Sequence, residues 1–298
     1  MRVIFFGTLC TFSTAPLRLL IEAGHHLCAV MISSGRSISG RPIAPLSPPQ
    51  LAPIPVVDAA ATPSIVALAW QHQIPVYNIN ELSAAETLDT MTRLQADVAC
   101  VACFPKRIPP VLLGVPRRGF LNVHPSLLPR YRGPYPLFWM LRQGDRCFGV
   151  TVHFMDEQLD TGDIAAQAEV DLPDGCSGEE ADGTLSQYGA ELLLDVLRQL
   201  ERGQVMRRAQ AAGGTYFPAP QESDFAVDTT WSAQRAFNFI RGTNEWQRAY
   251  PIEVTGQRFN LRQALFYSSH EILGQPYRLL GEQIDIQFSP GVLRALIE

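Results

Sequence analysis

A short apolar run at 3–6 stops at Gly7, positions 14–22 then carry apolar residues at helical spacing until Gly24, and 27–32 is again an unbroken apolar run of strand length. Strand, helix, strand in that order predicts a βαβ opening and hence a parallel sheet with right-handed crossovers. Three further apolar segments at 98–104, 120–124 and 150–155 supply the central strands, with a helix expected over 136–142. A short strand at 75–77 and a helix over 81–94 precede them, while 164–170 alternates like a partly exposed strand and 180–202 reads as a long helix.

Between these elements, 33–61 is rich in Pro, Ser and Gly, including Pro42, Pro45, Pro48, Pro49, Pro53 and Pro55, and reads as a long loop. It leads to a helix start at Thr62 and Pro63. Near Gly203 the periodicity fades into a stretch with Gly213, Gly214, Pro218 and Pro220, after which a helix over 232–241 is followed by short alternating runs such as 284–288. The expected architecture is an α/β domain over 1–203, a linker over 204–222 and a β-rich domain over 223–298.

Composition narrows the class. The chain has 298 residues, 46% of them hydrophobic, enough for about two domains and well away from the composition of disordered chains. No apolar run reaches the roughly 18 residues of a bilayer span, and the apolar start is too short for a secretory signal, so the expectation is a cytoplasmic protein with no membrane association. The six cysteines are scattered, as suits a reducing compartment, and Cys100 and Cys103 are expected as buried strand residues. No metal-ligand constellation and no obligate protein partner is evident. A formal charge of −5 excludes a global pull toward polyanions; Lys106 is the sole lysine, and local basic groups such as Arg130 with Arg132 are all that nucleic acid could use.

The first loop, with one glycine at Gly7, lacks the three-glycine fingerprint of dinucleotide binding. The segment FLNVHPSLLPRYRG at 120–133 is more informative. Asn122 and His124 stand two residues apart, so on a strand they share a face, and the strand breaks at Pro125. In an open parallel sheet that end borders the ligand crevice. An amide donor and an imidazole there suit acyl transfer to an amine, which needs donors for a developing oxyanion and a group that handles the amine proton. Downstream, DEQLDTGDI offers Asp156, Asp160 and Asp163 in one loop with Gly162 allowing a tight turn, and one of these carboxylates is expected to pair with His124 and raise its pKa. Spacing alone equally allows a turn-closing Asn, a strand-end His and a solvated acidic loop.

The segments NVHPSLLPRYRG (122–133), GVTVHFMDEQ and LDTGDI (159–164) together resemble the folate-dependent formyltransferases, the group that includes the methionyl-tRNA and phosphoribosylglycinamide enzymes. The resemblance extends to FFGT at 5–8, ADVACVACFPKRIP at 96–109 and 213–242, and so covers most of the chain. It implies a Rossmann-like domain followed by a smaller OB-like domain, and transfer of the formyl group of 10-formyltetrahydrofolate to a primary amine. It also implies that Asn122, His124 and Asp160 are catalytic, with Asn122 and protonated His124 stabilising the oxyanion and Asp160 orienting His124. Phe104, Lys106, Arg107, Ile108, Ser126, Leu127, Leu128, Pro129 and Asp156 would contact the folate.

The methionyl-tRNA enzymes carry a basic, lysine-containing loop after the second strand, where this chain has the Pro-rich 33–61 with only Arg36 and Arg41. The C-terminal domain is also expected to be short, ending at DIQFSPGVLRALIE. The acceptor amine therefore stays open among initiator methionyl-tRNA, an amino-sugar nucleotide or another small amine. Water would make the chain a formyltetrahydrofolate hydrolase.

Overall fold

The computed structural model describes residues 1–33, 40–48 and 64–298. The chain divides into two compact units: Met1–Arg132, Gly149–Val170 and Gly183–Tyr216 form the first, and Gly133–Phe148, Asp171–Asp182 and Phe217–Glu298 the second. The units are therefore interleaved along the chain.

The first unit is built on an eight-stranded sheet. Its strands are β1 (Arg2–Gly7), β2 (His26–Ile32), β3 (Ile43–Leu46), β4 (Val76–Ile79), β5 (Val98–Ala102), β6 (Phe120–His124), β7 (Phe148–Phe154) and β8 (Ile164–Val170), in the spatial order β3-β4-β2-β1-β5-β6-β7-β8. Strands β4, β2, β1, β5 and β6 pair in parallel. Helices α1 (Thr11–Glu22), α2 (Ile65–Gln71), α3 (Ala85–Leu94) and the short α4 (Pro110–Leu113) connect them. All of β5 is buried and β1 is buried beyond Arg2, as expected of parallel strands covered on both faces.

The sheet is not wholly parallel. β6 pairs antiparallel with β7, and β3 pairs antiparallel with β4 at the opposite edge. Strand β3 is a correction to the loop expected over 33–61: its Pro45 sits on an outermost strand, where the missing amide costs no ladder hydrogen bond on the open side. Most of that stretch, and the helix start at Thr62 and Pro63, lie outside the described residues. The helix that follows is capped by Ser64, whose hydroxyl accepts from the amide of Ala67.

The second unit holds α5 (Pro136–Gln143), α7 (Ala233–Gly242) and a five-stranded antiparallel sheet of β9 (Tyr250–Val254), β10 (Gln257–Ser268), β11 (Tyr277–Leu280), β12 (Gln283–Gln287) and β13 (Val292–Ile297). The expected β-rich C-terminal region is thus present. Helix α5 lies between two sheet strands in sequence, yet Phe138 packs on Phe225, Phe239 and Trp246. Every residue of PLFWML in that helix is buried, so it has no polar face to turn to solvent and joins an aromatic cluster instead. The long helix α6 (Gly178–Glu201) contributes residues to both units. Among the described residues no helix is long and apolar enough to cross a membrane.

Candidate active site

Strand β6 places Asn122 and His124 where period two predicted, and Asn122 is its single half-buried position. Antiparallel pairing sets Asn122 opposite His153 of β7, and the Asn122 amide nitrogen is 3.1 Å from His153 Nε2. The β7 to β8 connection then brings in Asp160. Its Oδ2 lies 3.7 Å from His124 Nδ1 and its Oδ1 lies 3.6 Å from His153 Nε2. Of the three loop aspartates, Asp160 is therefore the carboxylate facing both imidazoles.

The proton positions follow from the partners. His124 Nε2 meets the Tyr131 carbonyl at 2.9 Å and His153 Nδ1 meets the Phe154 carbonyl at 3.0 Å. A carbonyl can only accept, so these nitrogens carry the proton of each neutral ring. The remaining nitrogens then present lone pairs toward the Asp160 carboxylate, and His153 Nε2 accepts an N–H of Asn122. Asp160 thus stands within 4 Å of one nitrogen of each ring, and a proton added at His124 Nδ1 would face its carboxylate.

Burial dominates the titration of His124. It pushes the imidazole pKa below its usual 6.5, outweighing the upward pull of Asp160 and of the Tyr131 carbonyl, while the nearby His153 also pushes it down. The sequence expectation that the carboxylate would raise this pKa is corrected: Asp160 does act upward, but His124 is almost fully enclosed, with 4% of its surface exposed.

The Asp160 turn is held by its backbone. Asp160 adopts φ +55°, which Asp tolerates better than most residues. Gln210 Nε2 donates to the carbonyls of both Asp160 and Gly162 at 2.8 Å, and Arg132 Nη2 donates to Gln210 Oε1 at 2.7 Å. Gly162 is required for a different reason than the expected turn flexibility: a Cβ there would lie 1.8 Å from the Phe154 carbonyl oxygen. Asp156 points elsewhere, its carboxylate accepting from the amide of Gln158 and the hydroxyl of Thr161.

The residues expected to contact folate lie beyond the ends of β5 and β6. The loop 126–129 is strapped to β7 and β8 through Ser126 and Leu128: Thr151 donates to the Ser126 carbonyl and accepts from the Leu128 amide, and Gln167 donates to the Leu128 carbonyl, while the Ser126 hydroxyl closes the loop on the Arg130 carbonyl. Leu127 packs where Gly149 leaves room, since a Cβ on Gly149 would lie 2.5 Å from Leu127 Cδ2. Phe104 sits edge-on to Phe6 with ring centroids 5.2 Å apart, and Ile108 is core. Arg107 is exposed, and the Lys106 ammonium donates to the carbonyls of Ile79 and Asn80 at the end of β4. Cys103 corrects the reading of 98–104 as one buried strand: it lies past the end of β5, is exposed and adopts φ +58°.

Sequence reasoning left the face of His153 undecided, read Arg132 only as part of a basic group, and passed over Gln210. His153 could be found only through the β6 to β7 register, because alternation leaves its face undecided until the pairing partner is known. A separate cavity in the second unit, partly lined by Asp145, Arg146, Asp174 and Cys176, contains none of the candidate residues. Among the described residues no group of His, Cys, Asp and Glu is arranged to hold a metal ion.

A parallel-rich α/β sheet with an amide, two imidazoles and a carboxylate at a strand end is an arrangement suited to acyl transfer. Residues 2–197 match the formyl transferase family, and the chain belongs to it. It is 34% identical over 251 residues to a methionyl-tRNA formyltransferase of Citrifermentans bemidjiense, covering 84% of this chain and 74% of that one. In fold it is similar to an N-formyltransferase of Helicobacter canadensis in complex with folinic acid and dTDP-3-aminofucose, with TM-score 0.71, 14% identity and coverage of 100% and 99% of the two chains. It is also similar to HypX of Aquifex aeolicus, with TM-score 0.61 and 18% identity, where 99% of this chain spans 45% of that one.

Proposed function

We propose that the chain transfers the formyl group of 10-formyltetrahydrofolate to the amino group of methionyl-tRNA, with Asn122, His124 and Asp160 as catalytic residues and His153 positioning Asn122. The observation that carries this reading is Asp160 facing His124 Nδ1 at 3.7 Å beside the Asn122 amide, which His153 Nε2 holds. An amine attacking a formyl carbon must lose a proton, and Asp160 with neutral His124 can take it and pass it to the departing nitrogen. Asn122 spends one N–H on His153 and aims its second at the formyl oxygen as that atom gains charge. His124, once protonated at Nδ1 against Asp160, adds positive charge beside the same oxygen. No covalent enzyme intermediate is needed.

The ends of β5 and β6, with Phe104, Lys106, Arg107, Ile108, Ser126, Leu127, Leu128 and Pro129, are the proposed donor-binding side. Asp156 acts there by shaping the loop that carries Asp160. We keep the domain division 1–203, 204–222 and 223–298 as the functional one, and place the protein in the cytoplasm, where its six free cysteines stay reduced. The Pro-rich stretch with two arginines favours a second reading, in which the acceptor is a small amine such as an amino-sugar nucleotide.

The test is transfer of labelled formyl from 10-formyltetrahydrofolate to charged initiator methionyl-tRNA, run beside amino-sugar nucleotides and small amines. Labelling of the tRNA supports the first reading and labelling of a small amine alone the second. Formate release without any acceptor would mean hydrolysis.

A further inference from the structure

Strands β1 and β5 are parallel neighbours whose last paired positions are Gly7 and Ala102. Just beyond them stand two cysteines that the chain separates widely. Cys10 is the residue preceding helix α1, and Cys103 is the first residue after β5. Ser13 ties the two strand ends together: its hydroxyl donates to the Ala102 carbonyl at 2.8 Å and lies 3.4 Å from the Cys10 sulfur. The Thr8 hydroxyl donates to Cys10 Sγ at 3.1 Å, and the Cys103 thiol is a further hydrogen-bond partner of that sulfur.

The hydrogen bond from Cys103 is the largest influence on Cys10 and, with those of Ser13 and Thr8, it overrides burial and brings the thiol pKa down to about 5. A position at a helix N-terminus acts in the same direction. The C-x-x-C spacing in the sequence is misleading here, because Cys100 is sealed in β5 and burial pushes its thiol up. The thiol hydrogen-bonded to Cys103 is that of Cys10, from the turn after β1.

We propose that Cys10 and Cys103 form a peroxide-sensitive dithiol that closes to a disulfide at the sheet end carrying His124 and switches formyl transfer off. The Cys10 thiolate attacks one oxygen of hydrogen peroxide, forming an S–O bond, breaking the O–O bond and releasing hydroxide. The Cys103 sulfur then attacks Cys10, forming the S–S bond and expelling the second oxygen as hydroxide. The two thiol protons convert both hydroxides to water, so two thiols lose two electrons and one peroxide gains them. A small thiol reverses the reaction by exchange.

The link to activity rests on the proposed function. Ala102 pairs with Val123 in the parallel register, so the residues that follow them are Cys103 and His124. A disulfide demands Cβ atoms about 3.5–4.5 Å apart, so closing it fixes Cys103 and the start of the 104–108 segment proposed to hold the donor.

The test uses the full chain with a small molar excess of hydrogen peroxide, followed by alkylation, proteolytic mapping by mass spectrometry and formyl-transfer assay. A Cys10–Cys103 cross-linked peptide is expected, with activity falling at least tenfold as it accumulates and both effects reversed by dithiothreitol. Cys10→Ser and Cys103→Ser should retain activity in peroxide. Cys10 in the reduced protein should alkylate nearly as fast at pH 6 as at pH 8. Oxidation at exposed Cys147 without the cross-link would overturn the dithiol, as would Cys10 alkylation slowing about tenfold per pH unit like an ordinary thiol. Cross-linking with unchanged activity would overturn the switch alone. A reduced protein that transfers no formyl group would instead fail the proposed function, and the cross-link would still be read by mass.

Discussion

The amide nitrogen of Asn122 lies 3.1 Å from Nε2 of His153, its register partner on the neighbouring antiparallel strand. His153 is 1% exposed, so this bond is made inside the protein and sets which way the Asn122 amide faces. His153→Phe should lower kcat about 10- to 100-fold, the scale on which misplacing a reacting group by an ångström acts, with the KM for donor little changed. His153→Gln, whose carbonyl accepts the same N–H, should recover most of the loss. Equal defects in the two variants, measured by steady-state kinetics, would argue against positioning.

In the proposed transfer His124 must be neutral to take a proton, and burial holds its pKa below 6.5. The expected profile of log kcat/KM against pH is flat near neutrality, with an acid limb whose midpoint lies below 6.5. The sign for stability is the same: the unfolded chain binds this proton at a higher pH than the folded chain, so stability falls as pH drops through 6.5. His124→Gln should abolish turnover and flatten that part of the stability curve followed by urea unfolding. An acid limb centred above 6.5 would contradict the burial argument.

Gly162→Ala forces a methyl group to within 1.8 Å of the Phe154 carbonyl unless the turn moves. Overpacking of this kind costs about 1–3 kcal/mol. The urea midpoint should fall accordingly, and activity should fall further than stability because Asp160 shares the displaced turn. Gln210→Ala should have a comparable effect of about 1–3 kcal/mol through the Asp160 and Gly162 carbonyls it leaves without that donor.

In the second unit, Asp285 is buried on β12 and receives hydrogen bonds from Arg294 and Arg278 at 2.7 and 2.6 Å, which hold its carboxyl below the usual range. Asp285→Asn should cost about 1–3 kcal/mol at pH 7, the scale of hydrogen bonds to charged groups, without changing formyl transfer chemistry. Because the folded pKa is depressed, the advantage of the native residue is fully present above about pH 4 and is lost progressively as pH falls from there through the lower folded value. Unfolding curves of the two proteins should therefore converge as the pH is taken below the usual carboxylate range.

Much of this was legible along the chain. Apolar runs and helical spacing located nearly every element of the main sheet because parallel strands covered on both faces leave an unmistakable continuous signal. Period two on a strand that breaks at Pro125 put Asn122 and His124 on one face, whereas the choice of Asp160 among the three loop aspartates rested on the resemblance of NVHPSLLPRYRG and LDTGDI to the formyltransferases. The β3 strand was missed because prolines dominate its surroundings, and an edge strand tolerates them.

What the sequence determined by itself is most of the inventory and its order: most strands of the main sheet, their ends to within a few residues, and the polar side chains that stand there. Those follow from forces acting over a few residues. Only the tertiary structure decided who meets whom. The antiparallel β6 to β7 register made His153 the partner of Asn122, burial reversed the expected shift of His124, and the side-by-side ends of β1 and β5 joined Cys10 to Cys103 rather than Cys100. Register, desolvation and strand adjacency depend on groups far apart in the chain, and no pattern read along it specifies them.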